Sequence, residues 1–198
     1  MSSRDRILAA VRGAQPAPVP HPGVEGLGAR FPDPVAKFAE MVAAVGGACL
    51  RADDLASADR ALRELPVHRE ARRIASLVPG VGAATFDPAV IDDPHGLDGL
   101  DLCVLPAELG VAENGAVWID VRKLPHQALF VIPEHLAVVV RAASIVHDMH
   151  QAYERIDHGK GFQLFLSGPS KTADIEQALV IGAHGARSCT VLVVGGAG

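Results

Sequence analysis

The residues with the most chemistry to offer lie in one run, Ser167-Gly168-Pro169-Ser170-Lys171-Thr172-Ala173-Asp174-Ile175-Glu176. A mostly apolar stretch, Phe162 to Leu166, leads into the Gly-Pro turn, and apolar residues then recur at Ile175, Ala178, Leu179, Gly182 and Ala183. That i, i+3, i+4, i+7, i+8 spacing is helical. It predicts a strand that ends in a glycine turn and opens a helix after Thr172. The first N–H groups of such a helix have no partner within it and sit at its positive end, where a carboxylate or phosphate can be held. Gly168 belongs to the turn, Ser170, Lys171 and Thr172 add side-chain donors, and Asp174 is placed to hold a hydroxyl or the loop. Simple capping competes with this reading. Ser170 or Thr172 as the N-cap, with Asp174 and Glu176 in the first turn, would stabilise by about 1 kcal/mol without any ligand. A nucleoside-triphosphate loop is excluded, because the two glycines it requires before Lys-Thr are here Ser170 and Phe165.

Glu113-Asn114-Gly115 forms a second group, in a short connection between apolar segments. Asn-Gly favours a tight hairpin turn. A carboxylate in such a turn can attack a thioester, or move protons if burial raises its pKa. His135 follows Pro133-Glu134 at the mouth of a strand, and His184 sits in Gly182-Ala183-His184-Gly185. Loops at strand and helix ends gather α/β sites, so both histidines are candidates to line a pocket. His147 and His150 are spaced i, i+3 with Glu154 a turn later. They lack a third metal ligand at convincing spacing and read as surface helix residues, so no metal site is assigned.

The elements that must hold these residues are strands alternating with helices over much of the 198-residue chain. Arg4 to Arg12 reads as a short helix, and Gly13 to Pro34 as a Pro/Gly-rich extended arm. Pro34 opens a helix that carries Val35, Phe38, Met41, Val42 and Val45 on one face and stops at Gly46-Gly47. Ala48–Leu50 is a short strand, Asp53 or Asp54 caps a helix toward Leu65, and Pro66 stops it. Strands are expected at 74–78, 102–105, 116–121, 128–132, 136–140, 162–166 and 189–194, with a helix over 144–156. Trp118 reads as core. The expected class is a single α/β domain, residues 34–198, with a mostly parallel or mixed central sheet flanked by helices. Residues 1–33 form a helix and arm that acts as a tether, or docks on a partner subunit or a second copy of the chain.

Composition narrows the function. The chain is 49% apolar and carries 18 Lys plus Arg against 23 Asp plus Glu, a net charge of −5. A chain of this size should bury about 70% of its unfolded surface. Its basic residues are scattered apart from Arg69, Arg72 and Arg73, which argues against a nucleic-acid partner or a polybasic membrane surface. No apolar stretch reaches the roughly 20 residues of a membrane span, and Met1–Arg12 lacks the long apolar segment of a signal peptide, so a cytoplasmic location is expected. Cys49, Cys103 and Cys189 are far apart and read as buried structural thiols. An iron–sulfur cluster normally takes four cysteine thiolates, so none is expected on this chain alone.

The run Gly168–Glu176, continued by Leu179-Val180-Ile181-Gly182-Ala183-His184-Gly185, resembles the signature of the LUD-domain family, and in particular its lactate-utilisation protein C members. Gly110-Val111-Ala112-Glu113-Asn114-Gly115 and Pro133-Glu134-His135-Leu136 extend the resemblance, which covers residues 34 to 195 and leaves out the arm. The family often has Arg at Lys171 and Thr at Asn114. The resemblance implies a fold like that of ribose-5-phosphate isomerase and the CoA transferases. It also implies a part in oxidising L-lactate to pyruvate together with iron–sulfur partner proteins. On that reading the chain is a subunit that is inactive alone. It carries a small carboxylate or phosphate at Gly168, Ser170, Lys171, Thr172, Asp174, Asn114, Gly115, His135 and His184. It binds no cofactor of its own, the clusters being on its partners, and self-association is left open. The rival is a self-sufficient CoA transferase-like or sugar-phosphate isomerase-like enzyme. In that case Glu113, which resembles the acidic nucleophile in the Glu-Asn-Gly turn of CoA transferases, is catalytic.

Overall fold

A computed structural model describes residues 2–20, 23, 26–173 and 179–196. The helices are α1 (Ser3–Gly13), α2 (Pro34–Ala44), α3 (Leu55–Arg63), α4 (Pro66–Arg69) and α5 (Met149–Arg155). The strands up to the middle of the chain are β1 (Ala48–Ala52), β2 (Ile74–Ser76), β3 (Leu102–Pro106), β4 (Leu109–Val111) and β5 (Ala116–Ile119). The later strands are β6 (His135–Arg141), β7 (Ile145–Val146), β8 (Leu164–Leu166), β9 (Lys171–Ala173), β10 (Leu179–Ile181) and β11 (Ser188–Val194).

The main sheet is parallel throughout, in the order β1-β11-β6-β3-β2. Its central strands are buried on both faces, which is why Leu136–Val140 and Val191–Val194 read as unbroken apolar runs. Alternation divides their side chains. Leu136, Val138 and Val140 pack with Val35, Phe38 and Val42 of α2 and with Val117 and Ile119 of β5. Ala137 and Val139 pack on the opposite side with Ala58 and Leu62 of α3. The second sheet, β7-β4-β5-β8, therefore lies over the α2 side of the main sheet. Its outer face, with Val111, Trp118 and Val146, is covered by Ala152 of α5. Helix α2 starts at Pro34, as expected, under an Asp33 cap, and α3 starts under Asp54, whose carboxylate accepts from the Ser57 amide.

Cys103 and Cys189 are 0% and 2% exposed within this core, and burial pushes both thiols up to about 12. They are packing groups and stay protonated at neutral pH. Cys49 is half-buried against the same core.

Three expected elements differ. Residues 128–132, expected as a strand, instead turn through a 3-10 segment, Gln127–Phe130. The Ala128 carbonyl there accepts from both Val131 and Ile132, and only Leu129 of the segment is buried. The helix expected over 144–156 begins only at Met149, because Ile145-Val146 pair in parallel with Gly110-Val111 and Asp148 forms the cap of α5. The helix expected after Thr172 is replaced, over its described residues, by strands. β9 and β10 pair antiparallel, with Val180 opposite Thr172 and Ile181 opposite Lys171. Thr172, Val180 and Ile181 are β-branched, which suits a pleated surface better than a helix. Asp174, Ile175, Glu176 and Ala178 lie outside the described residues.

Gly115 has φ +66°, and a Cβ there would lie 2.7 Å from the Val42 nitrogen and 2.8 Å from the Met41 carbonyl carbon. The Glu-Asn-Gly turn thus seats directly on the α2 backbone. Gly115→Ala combines the strain of a left-handed residue with overpacking and is expected to cost about 3 kcal/mol, read from the urea midpoint. A variant within about 0.5 kcal/mol of the parent would contradict this seating.

Candidate functional site

The Gly168–Thr172 run closes over the C-terminal end of α2. Gly168 has φ +72°, and a Cβ there would come within 2.6 Å of the Val45 carbonyl oxygen. The Lys171 ammonium donates to that same carbonyl. Lysine beside the last carbonyls of a helix also opposes the negative end of its dipole. The Ser170 amide donates to Ala186 O at 2.9 Å, and Ser170 O accepts from Gly182 at 3.0 Å. The expected fan of unpaired helix amides is therefore not what this corner offers. Its ligand-binding potential rests on side chains.

Those side chains border a cleft of about 390 Å³. Gly168, Ser170, Lys171, Thr172 and His184 line it, over an apolar floor that includes Phe130, Leu136 and Phe165. Thr172 Oγ1 and His184 Nδ1 are 3.1 Å apart, within one hydrogen bond. The cleft can offer two hydroxyls, an imidazole and the remaining donors of an ammonium that has three. His135 is outside this lining, paired through Nδ1 with Ser188 Oγ at 2.8 Å at the start of β6.

Asn114 is tied to the run by Ser167, whose hydroxyl donates to Asn114 O at 2.9 Å, while Asn114 Oδ1 accepts from Ala116 N at 3.0 Å. Glu113 turns the other way. Its Oε1 accepts from the Met149 amide at 2.8 Å, and its own amide donates to His147 O at 3.0 Å. The carboxylate therefore holds the first turn of α5.

Around Glu113 lies a polar corner that no sequence pattern assembles. His147 precedes α5 instead of lying on it, and its Nδ1 accepts from the Phe31 amide at 3.1 Å. Asp148, 1% exposed, accepts from Gln151 N at 2.8 Å and from Arg30 at 2.6 Å. Arg30 and Phe31 belong to the arm, so its last residues are clamped onto the domain. Asp148 with Gln151 three residues on is a capping pattern visible in sequence. Nothing in the sequence pointed to Arg30 as its partner. Burial pushes the Asp148 carboxyl up, but the Gln151 amide and the Arg30 guanidinium outweigh it and hold the group below its ordinary value.

Fold and motifs together define a class. Residues 97–194 match the family model for the LUD domain, and the chain belongs to the LUD-domain family. Among the proteins it resembles are Lactate utilization protein C of Oceanobacillus iheyensis, 31% identical over 101 residues, and that of Deinococcus radiodurans, 35% identical over 103 residues. These matches take in 48% and 50% of this chain and only 43% and 49% of the relatives' own lengths. An Escherichia coli protein, YkgG, is 26% identical over 149 residues, with 70% of this chain and 61% of YkgG covered. The fold is shared with the crystal structure of a DUF162 family protein from Deinococcus radiodurans. That match has a TM-score of 0.57 at 19% identity and covers 82% of this chain and 96% of the other.

Two measurements test the corner. Glu113→Ala should lose about 1.5 kcal/mol by urea denaturation, while Glu113→Gln, which keeps a carbonyl acceptor for the Met149 amide, should lose less than half of that. Asp148 has a lowered folded pKa, so its contribution is complete above the ordinary Asp value of about 4 and disappears as pH falls through the folded value. Asp148→Asn should therefore be less stable than the parent at neutral pH, with the gap closing as the pH is lowered below about 4. Curves that stay parallel across that range would contradict the assignment.

Proposed function

We propose that this chain is a cytoplasmic subunit of an L-lactate utilisation system. In this reading iron–sulfur partner proteins carry the electrons from lactate, and this chain binds a small carboxylate or phosphate without carrying a cluster. One observation carries the reading: the LUD-domain match spans residues 97 to 194. It takes in β3, β6, β11, the whole second sheet, the Glu113 turn and the Gly168–Thr172 run. The names of the relatives with the same domain supply the process. Two of the three cysteines are committed to the core, which suits a subunit that does not carry electrons. Among the described residues, no helix is long and apolar enough to cross a membrane.

The ligand site in this reading is the cleft beside α2. Ser170 and Thr172 hydroxyls, the His184 imidazole and the two free donors of Lys171 converge there on a volume suited to a small anion. The anion is held by side chains over a partly apolar floor, which strengthens each hydrogen bond relative to open water.

A strain lacking the chain should fail to grow on L-lactate and grow normally on pyruvate. Affinity purification of the tagged chain from lactate-grown cells should recover iron–sulfur proteins. The purified chain should contain no iron and should not reduce an electron-accepting dye with lactate. Normal growth of the deletion strain on lactate, or robust lactate oxidation by the isolated chain, would overturn the proposal. So would an acyl adduct on Glu113 after incubation with an acyl-CoA, which would mark a transferase. Ligand occupancy reads out as thermal stabilisation. At ten times its Kd, a bound carboxylate should raise Tm by about 4 °C, and Lys171→Ala with Thr172→Ala should abolish the shift.

A further inference from the structure

The Gly168–Thr172 cleft lies toward the amino ends of the parallel strands, beside the starts of β6 and β11. A larger cavity lies at their other end. A crevice of about 760 Å³ opens where β1, β11, β6 and β3 finish. In open α/β sheets, ligands bind in the crevice outside the carboxyl ends of the strands. The volume lies within the range of sites that bury drug-sized molecules.

Register fixes what faces the crevice. Ala52 of β1, Val194 of β11 and Arg141 of β6 lie side by side as direct partners. Val139, two residues before Arg141, packs on the α3 side with Ala52 and Val194, so alternation sends Arg141 to that side as well. Asp53 follows Ala52 on the opposite flank. The backbone at Arg141 and at Ala52, the neighbour of Asp53, is thus about 10 Å apart, two strand spacings of ~4.8 Å. Among the described residues the side chains of both lack any hydrogen bond or ion pair. The rest of the crevice wall is largely apolar, with Val194 of β11 between the two strands and Val139 and Val78 beyond it toward β2. The amino end of α3 also borders the crevice, but Asp54 already caps it, so the site does not depend on that helix.

We propose that this crevice binds a ribonucleoside phosphate. A planar guanidinium matches a phosphate with two parallel hydrogen bonds. A carboxylate two strands away accepts from a sugar diol and repels a second phosphate. The apolar wall beside them takes the base. A ligand with one anionic end and one hydroxyl-bearing end satisfies both unpaired charges at once, whereas inorganic phosphate engages only Arg141.

Isothermal titration of the full chain tests this with AMP, GMP, CMP and UMP, and with adenosine, 2′,3′-dideoxy-AMP and inorganic phosphate. At least one ribonucleotide should bind with Kd below about 1 mM, and its nucleoside and its dideoxy form about tenfold more weakly. Arg141→Ala should weaken the nucleotide about tenfold and leave the nucleoside unchanged. Asp53→Asn should erase the preference for ribose over dideoxyribose. Both side chains are at the surface, and unchanged thermal melts of the variants would show that folding is intact. Absence of binding by all four nucleotides, or nucleotide affinity indifferent to Arg141→Ala, would overturn the proposal. Neither outcome bears on growth with lactate, which rests on the family match and the opposite cleft.

Discussion

The rest of the molecule depends on how closely chain can approach the backbone of α2. On one side, Gly115 brings the Glu-Asn-Gly turn to where a Cβ would stand 2.7 Å from Val42 N. At the end of the helix, Gly168 brings the second motif to where a Cβ would stand 2.6 Å from Val45 O. Both glycines have positive φ, so two separate requirements, conformation and space, fall on the same residue. The helix is in turn fixed by Phe38 and Val42, which are fully enclosed between the two sheets. Two motifs more than fifty residues apart in sequence are thus placed relative to each other by one eleven-residue helix. Ser167, bonded to Asn114 O, completes the link.

Much of this arrangement was legible in the sequence, and the reasons are physical. Parallel strands buried on both faces leave apolar runs, so β6 and β11 announced themselves. Pro34 behind Asp33, and Asp54 three residues before Ser57, mark helix starts through backbone chemistry that is local. What stayed hidden was settled by distant partners. Strand β4 is only three residues long and centred on Gly110, and it exists because β5 and β7 pair with it on either side. Ile145-Val146 resemble the start of a helix in sequence, and only pairing with β4 makes them a strand. The Leu179–Ile181 segment fits a helical stripe and a strand equally well by spacing alone, and pairing with β9 decided it.

The candidate site shows the same division. The run Gly168–Thr172 and His184 share a cleft, and the physics there differs from that of a helix terminus. Ser170 and Gly182 spend their amides on the hairpin and its neighbour Ala186, so any anion must be met by side chains. The Glu113 corner was legible only in part. Arg30 reaches Asp148 across 118 positions, and no local pattern encodes such a pair. With one partner 56% exposed and the other 1%, the pair falls between an ordinary surface ion pair and a buried one. Its clearest consequence is geometric. It fixes the end of the arm against α5, and with it the direction from which α2 begins.

Two concavities at opposite ends of one parallel sheet impose a constraint on how the chain works. Strands β6 and β11 run the full distance between them, each seven residues long, which at roughly 3.3 Å per residue spans about 20 Å. The strands are buried on both sides and close-packed, so they are a rigid spacer with little freedom to relay a local adjustment. A ligand at the carboxyl ends and an anion at the amino ends would therefore bind nearly independently unless an element touching both can shift. Helix α2 is not that element, because its link is to the amino-end cleft, where Gly168 and Lys171 meet Val45 at its end. Segment Gly182–Arg187 is the better candidate. It borders the cleft through His184 and Gly185 and leads directly into β11, whose last residues form the wall of the far crevice. Coupling between the two sites would have to run as a translation of β11 against β1 and β6, breaking register on both sides. That cost favours two independent sites on one rigid body over a switch.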